Sequence, residues 1–267
     1  MIKILTGWSD KGGSTFAFIN LTNALNEAGY ETILYGPHEW HLDKCKSGLL
    51  KDFKPKKDDS LIVHFLQLQG KPSCKKVVLN CHETNVFEVS NVKPFWDTVV
   101  FLNEKQKKYH SGYYGKYDII PNLRETLTKN PKKKDVEKVA GVIGSIDPNK
   151  RTEASIMRAL NEGYEKVLLF GNVSDSNYYN NVVKPMIDEH DNVVEYGFIS
   201  DKQKMYDMIG AAFLSSNREV APLVKDECET TGTKFYGNRA TEHDVKDLTN
   251  EEIIQEWVKL LELWKNQ

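Results

Sequence analysis

The chain has 267 residues, 40% hydrophobic and 28% charged, with a formal net charge of −2. That length holds one large domain or two of about 130 residues, either able to bury a core. No run approaches about 18 consecutive apolar residues, which excludes a membrane-spanning helix and points to a soluble protein. The four cysteines, Cys45, Cys74, Cys81 and Cys228, form no Cys-x-x-Cys pair, which argues against a metal cage or disulfide framework.

The segment Met1-Ile-Lys-Ile-Leu-Thr-Gly7 reads as a first strand and carries no signal-peptide pattern, so a cytoplasmic protein is expected. Short apolar runs at Lys3–Thr6, Thr32–Tyr35, Leu61–Leu66, Lys76–Asn80, Thr98–Leu102 and Asp118–Ile120 predict strands. Between the first two, Phe18, Leu21, Leu25 and Ala28 recur at helical spacing and Gly29 stops the helix. The charged stretch 128–135, with Pro131 and no apolar period, predicts a linker. The alternation then restarts, with strands at Val136–Ile143, Lys166–Phe170, Asn192–Tyr196 and Ala211–Ser215 and helices near 151–162, 178–190, 202–210 and 221–231. A closing helix carries the stripe Ile253, Ile254, Trp257, Leu260, Leu261 and Trp264. The expected organisation is therefore α/β: a Rossmann-like domain over 1–127, the linker, a second such domain over 136–249 and a terminal helix over 250–267. Ligands of such sheets bind at the carboxyl ends of the strands.

Charge is unevenly divided. Residues 1–135 hold 21 Lys/Arg against 15 Asp/Glu, and residues 136–267 hold 15 against 23. The basic first half suits an anionic partner such as a lipid head group, a glycan bearing phosphate, or nucleic acid.

The first strand leads into Gly7-Trp-Ser-Asp-Lys-Gly12-Gly13-Ser-Thr15, where paired glycines let a ligand approach the backbone and leave helix N–H groups open to it. The phrase lacks the Gly-Lys that a P-loop places before Ser-Thr, which argues against an ATPase. His82 closes a strand and can donate a hydrogen bond or hold charge near a substrate, and His64 closes the strand before it. His38 and His41 have no third ligand at useful spacing. In the second half, Gly144-Ser-Ile-Asp-Pro-Asn-Lys150-Arg151 offers two cations at a strand-to-helix turn. Pro222 suits a first helical position, so Glu219 falls in the loop after the strand and Glu227 about a turn and a half into the helix. Carboxylates beside a helix start, where N–H groups attract phosphate, suit a nucleotide-sugar.

Two glutamates with seven residues between, followed by Gly232-Thr233, resemble the motif of retaining GT-B glycosyltransferases, family 4 in particular. The Gly12-Gly13 loop, Gly29-Tyr-Glu-Thr-Ile33, His82, the segment ending Ile120-Pro121-Asn122, the Gly144 loop with Lys150, Phe170-Gly171, Gly197-Phe-Ile199 and Lys204-Met-Tyr206 follow the family's order. Val220-Ala221-Pro222 stands where the family has Gly-Phe-Gly, and Ser145 stands where it has an Arg, leaving Arg151 to compensate. The resemblance implies two Rossmann-like domains facing across a cleft, with the terminal helix crossing back to the first. It implies transfer of a sugar from a UDP- or GDP-linked donor to an acceptor hydroxyl, with no cofactor and no metal; the sequence contains no Asp-x-Asp pair. It assigns His82, Glu219 and Lys150 to catalysis, and Gly12, Gly13, Arg151, Ile199, Ala221, Pro222, Leu223 and Glu227 to the donor. A sugar-nucleotide epimerase or hydrolase, or a silent nucleotide-sugar-binding module, are the alternatives on the same fold.

Overall fold

The structure, a computed structural model, describes residues 1–8, 12–39, 43–84, 95–131, 133–242 and 246–262. The chain divides into two compact units, Met1–Leu123 with Asp244–Gln267, and Arg124–His243.

The first unit runs β1 (Ile2–Thr6), α1 (Gly13–Glu27), β2 (Thr32–Gly36), β3 (Ser47–Leu49), β4 (Ser60–His64), β5 (Lys76–Asn80), β6 (Thr98–Phe101), α2 (Glu104–Tyr109) and β7 (Tyr117–Ile119). All strands are parallel, in the order β3-β2-β1-β4-β5-β6-β7. β1 sits between β2 and β4, with Ile4 beside Leu34 on one flank and Ile62 on the other. Every residue of β1 and β4 is buried, because a parallel sheet is covered on both faces and its inner strands have no solvent side.

After the second unit the chain returns to the first in α8 (Asn250–Leu260). Thr249 and Glu252 form a capping box at its start. Ile253, Ile254, Trp257, Val258 and Leu261 then join Phe18, Leu21 and Leu25 of α1 over Ile4, Ile62 and Val78. The buried stripe includes Val258, which the sequence reading left out, and leaves Leu260 only partly buried. Trp264 lies outside the described residues.

The second unit runs β8 (Val139–Ile143), α3 (Thr152–Asn161), β9 (Lys166–Phe170), α4 (Ser176–Tyr178), a π-helical stretch Tyr179–Val183, α5 (Lys184–Glu189), β10 (Val193–Glu195), α6 (Lys202–Asp207), β11 (Ala211–Phe213), α7 (Leu223–Thr231) and β12 (Lys234–Tyr236). Its sheet is also parallel, in the order β10-β9-β8-β11-β12. Residues 128–131, expected as linker, are bonded into this unit: Thr128 N donates to Gln203 Oε1 at 2.8 Å and Asn130 Nδ2 to the Asp207 carbonyl at 2.9 Å. Lys133 Nζ reaches the carbonyls of Tyr206 and Ile209.

Strand order reverses once in each sheet, beside β1 and β4 in the first unit and beside β8 and β11 in the second. Neighbouring connections at such a point leave on opposite faces of the sheet, and open α/β sheets bind ligands there, outside the carboxyl ends of the strands. These two places carry the residues singled out above.

Candidate functional site

In the first unit, Gly7 N donates to the His64 carbonyl at 2.9 Å, and a Cβ at Gly7 would lie 1.9 Å from the Phe65 carbonyl oxygen. Only glycine allows β1 and β4 to end this close together. Phe65 turns away with φ 45°, so β4 ends at His64 rather than continuing to Leu66 as the sequence reading expects. Gly12 flanks α1 in extended conformation, half-buried, and Gly13 opens the helix, exposed. Among the described residues no side chain caps α1.

His82 follows β5. Its ring packs 4.9 Å from Phe18 and 5.1 Å from His64, which in turn lies 4.8 Å from Phe18. Thr6 Oγ1 and His64 Nδ1 are 2.9 Å apart. The Nε2 atoms of both histidines, Asn80 Oδ1 and Thr15 Oγ1 are shut off from solvent with no hydrogen-bond partner among the described residues. Asn80 and His82 line a crevice with Phe18, Asn122, Leu123 and Trp257 whose free space of about 10 Å³ matches roughly one water molecule. Burial pushes the His82 imidazole down to about 4. Burial, and then the neighbouring His82, hold His64 well below the usual histidine value. Both rings are therefore neutral at physiological pH. Of the two roles weighed for His82, a hydrogen bond is compatible with this site and a resident positive charge is not.

In the second unit, the loop after β8 and the loop after β11 are knitted together. Asn217 N donates to the Asn149 carbonyl at 2.7 Å, Asn217 Nδ2 to the Pro148 carbonyl at 3.1 Å and Asn149 Nδ2 to the Arg218 carbonyl at 3.2 Å. Asp147 Oδ1 accepts from the backbone N–H of Asn149 and Lys150, which fixes the turn that delivers Lys150. Lys150 Nζ lies 2.6 Å from Glu219 Oε1, with side chains 27% and 10% exposed. The predicted cation and the first predicted glutamate thus form one half-buried ion pair.

Arg151 precedes α3 in left-handed conformation, φ 48°, and its exposed guanidinium lies 3.6 Å from Glu153. Gly144 adopts φ +143° and packs under the Lys150 stem; Gly171 adopts φ +152°, and a Cβ there would stand 1.8 Å from the Gly144 carbonyl oxygen. Gly171→Ala is accordingly expected to push the Gly144 loop aside and destabilise the second unit by about 1–3 kcal/mol, read by urea unfolding.

Glu227 lies on α7 and is buried. Its Oε1 accepts from Lys202 Nζ at 2.6 Å and its Oε2 from the Tyr206 hydroxyl at 2.7 Å, while Lys202 also pairs with Glu125 at 2.7 Å. Burial pulls the Lys202 ammonium down, but the carboxylates of Glu227 and Glu125 outweigh it, and its pKa ends above the ordinary lysine value. Burial, reinforced by Glu227, raises Tyr206 well above the ordinary tyrosine value. Pro222 sits just before α7 with ψ 107° rather than at its first helical position, because an extended ψ is not compatible with the helix; Leu223 opens it. Ala221 and Leu223 are half-buried, and Pro222 at the helix start makes no side-chain cap. Ile199 follows β10 and packs, partly buried, against the core cluster that contains Phe170 and Tyr206.

No protein-family model and no curated protein matches the chain. Solved structures do. HepE from Anabaena, in complex with UDP-glucose, aligns over 97% of this chain and 89% of its own, with a TM-score of 0.69 at 12% identity. A glycosyltransferase from Rickettsia africae aligns over 98% and 88%, TM-score 0.64, at 14% identity. WaaG, a glycosyltransferase involved in lipopolysaccharide biosynthesis, aligns over 98% and 90%, TM-score 0.63, at 11% identity.

The fold is that of the GT-B glycosyltransferases.

On this fold the sequence-predicted residues fall into three groups. Lys150 and Glu219 are joined directly; Gly12 and Gly13 share the first unit's strand ends with His82; and Glu227 stands apart from Glu219, held by its own lysine. Lys202 and Glu125 were missed. Each sits in a charged stretch that reads as solvated surface, and only the structure shows that Lys202 turns inward between Glu227 and Glu125. Among the described residues no helix is long and apolar enough to cross a membrane, and no three His, Cys, Asp or Glu side chains gather as a metal-binding group.

Proposed function

We propose that the chain is a retaining glycosyltransferase that works without a metal and moves a sugar from a UDP- or GDP-linked donor to an acceptor hydroxyl. The observation that carries this is the Lys150–Glu219 pair at the strand-order reversal of the second sheet, on a fold shared with a protein whose structure holds UDP-glucose. The pair supplies a cation for a diphosphate and a carboxylate for sugar hydroxyls within one ion-pair length. Arg151 adds a second, exposed cation at the same turn. The α7 start with Ala221, Pro222 and Leu223 offers backbone N–H groups to phosphate, and backbone near Ile199 meets the base. In the first unit, the N–H groups at Gly12 and Gly13 and the neutral ring of His82 serve the sugar and the incoming hydroxyl.

In the reaction the bond from the sugar's anomeric carbon to the diphosphate oxygen breaks and a bond to the acceptor oxygen forms on the same face. The acceptor proton passes to the departing phosphate oxygen, whose charge Lys150 stabilises. The basic composition of residues 1–135 favours an acceptor carrying negative charge.

The test is donor binding. UDP-glucose or a GDP-sugar at about 100 times its dissociation constant is expected to stabilise the protein by roughly 2.7 kcal/mol, read as a rise in melting temperature. A chain that no nucleotide-sugar stabilises is not a transferase of this kind. Release of free sugar with no product on any acceptor would mark a hydrolase instead.

A further inference from the structure

We propose that Gln106 of α2, assisted by His110 just after it, is a positioning residue for His82: the two side chains grip the peptide groups that flank the imidazole and so aim its ring before any ligand arrives. The inference rests on the role given to His82 above and adds to it what holds that residue in place.

Strand pairing does not hold it. β5 ends at Asn80, and the bond from Cys81 N to the Val100 carbonyl, 2.9 Å, falls one residue short of His82. From there side chains take over the backbone. Gln106 Nε2 donates to the Cys81 carbonyl at 2.8 Å and to the Glu83 carbonyl at 3.0 Å. A carboxamide nitrogen carries two hydrogens, one for each of these carbonyls, so a single group spans His82. His110 Nε2 lies 3.0 Å from the same Glu83 carbonyl, and because a carbonyl only accepts, that nitrogen is the donor.

The grip is itself anchored to the sheet. Gln106 Oε1 accepts from Leu102 N at 2.7 Å, directly after β6, and Gln106 N donates to Asn103 Oδ1 at 2.8 Å. The His110 ring stacks on Phe101, the last residue of β6, with centroids 5.2 Å apart. β6 is the neighbour of β5, so the carbonyls around His82 are referred to the strand beside them. Gln106 is fully shielded from solvent and is the one residue that α2 buries, so what this helix brings to the first unit is an amide with both ends bonded rather than apolar surface. Backbone anchors at Cys81 and Glu83, together with the ring contacts to Phe18 and His64 at 4.9 and 5.1 Å, fix both the main chain and the imidazole. Neither Gln106 nor His110 touches substrate in this scheme; both act through His82.

The experiment replaces Gln106 by methionine, which keeps the length of the side chain and removes the amide, and observes His82 directly. In a proton–carbon correlation spectrum of histidine-labelled protein at neutral pH, assigned by comparison with His82→Phe, the His82 Cε1–H signal senses the ring currents of Phe18 and His64. It is expected to move toward the position of a solvent-exposed histidine in Gln106→Met, while the signal of His190 in the second unit stays in place. The kcat for UDP-glucose should fall by up to about 10²-fold, the loss that a misplacement of about 1 Å brings, with the affinity for UDP, which carries no sugar, unchanged. Combined with His82→Phe, Gln106→Met should cost nothing further in kcat, because residues that act through one another are not additive. A merely structural glutamine would leave the His82 signal unmoved in the folded variant, or would multiply its loss onto that of His82→Phe; either result overturns the proposal. Should Gln106→Met fail to fold, His110→Phe keeps the stack on Phe101 and removes one donor to Glu83, and is expected to move the His82 signal the same way by less; an unmoved signal there overturns the proposal equally. A wild type that acts on no nucleotide-sugar sinks the transferase reading, and the His82 signal in the two variants then decides the positioning by itself.

Discussion

Replacing Lys150 by alanine is expected to lower the rate of sugar loss from UDP-glucose by about 10²–10³, the range for removing a single donor to a developing oxyanion. The ammonium sits at the end of a turn fixed by Asp147 and roofed over Gly144, so its position does not depend on a ligand to organise it. Preorganisation of this kind is what makes one charge effective, because no reorganisation remains to be done as negative charge grows on the phosphate. In the free protein Glu219 neutralises the ammonium at 2.6 Å, and a diphosphate competes for it. The two members of the pair therefore have opposite signatures. Lys150→Ala should weaken UDP and UDP-glucose together and depress turnover further than binding. Glu219→Gln should leave UDP binding no weaker, since it removes a competitor for the lysine, while eroding the added affinity contributed by the sugar. Titration of both ligands against both variants separates the roles. A Lys150→Ala protein with full turnover would remove Lys150 from the mechanism and leave Arg151 as the cation at this turn.

The parts of the architecture that were legible in the sequence are those whose physics is local. Inner parallel strands such as Ser60–His64 and Lys76–Asn80 are buried on both faces and so read as unbroken apolar runs. The terminal helix was legible for the same reason, as its capping box and apolar stripe lie within a few turns. Two of the four edge strands were not. Ser47–Leu49 has three half-buried residues and Lys234–Tyr236 begins on an exposed lysine, so neither carries an apolar period. The helix Glu104–Tyr109 buries only Gln106, whose amide donates to the carbonyls of Cys81 and Glu83. No hydrophobic pattern can announce a helix held by one polar side chain. The same division runs through the site. Lys150, Glu219 and Glu227 could be picked out because they stand at strand-to-helix turns, where function concentrates. Their partners could not: Lys202 pairs with carboxylates 77 positions earlier and 25 later, as the residue numbers of Glu125 and Glu227 show, and nothing in a linear pattern joins them.

Acidification is expected to destabilise the first unit through His64 and His82. Both imidazoles are neutral in the folded protein, His82 with a value near 4 against about 6.5 for an exposed histidine, and His64 shifted in the same direction. An unfolded chain binds a proton at each ring as pH drops below 6.5, whereas the folded one does not until far lower pH, so protons favour unfolding. The stability tied to the neutral rings is thus fully present above about pH 6.5 and is lost as pH falls from there, through about 4 for His82. For His82 alone the loss amounts to about 3 kcal/mol. The cause is packing: the two rings and Phe18 lie 4.8–5.1 Å apart, and among the described residues neither Nε2 has a hydrogen-bond partner that could stabilise an imidazolium. Urea unfolding at pH 7 and pH 4.5 measures the effect, and comparison with His82→Phe isolates it from the carboxylates that titrate in the same range. The variant keeps a ring against Phe18 but cannot take up a proton, so its stability should fall less steeply with acid than that of the wild type. Identical slopes would mean that His82 is protonated as readily in the folded protein as in the unfolded chain. The ring would then be free to carry charge beside a substrate, and the hydrogen-bonding role assigned to it here would have to be replaced by an electrostatic one.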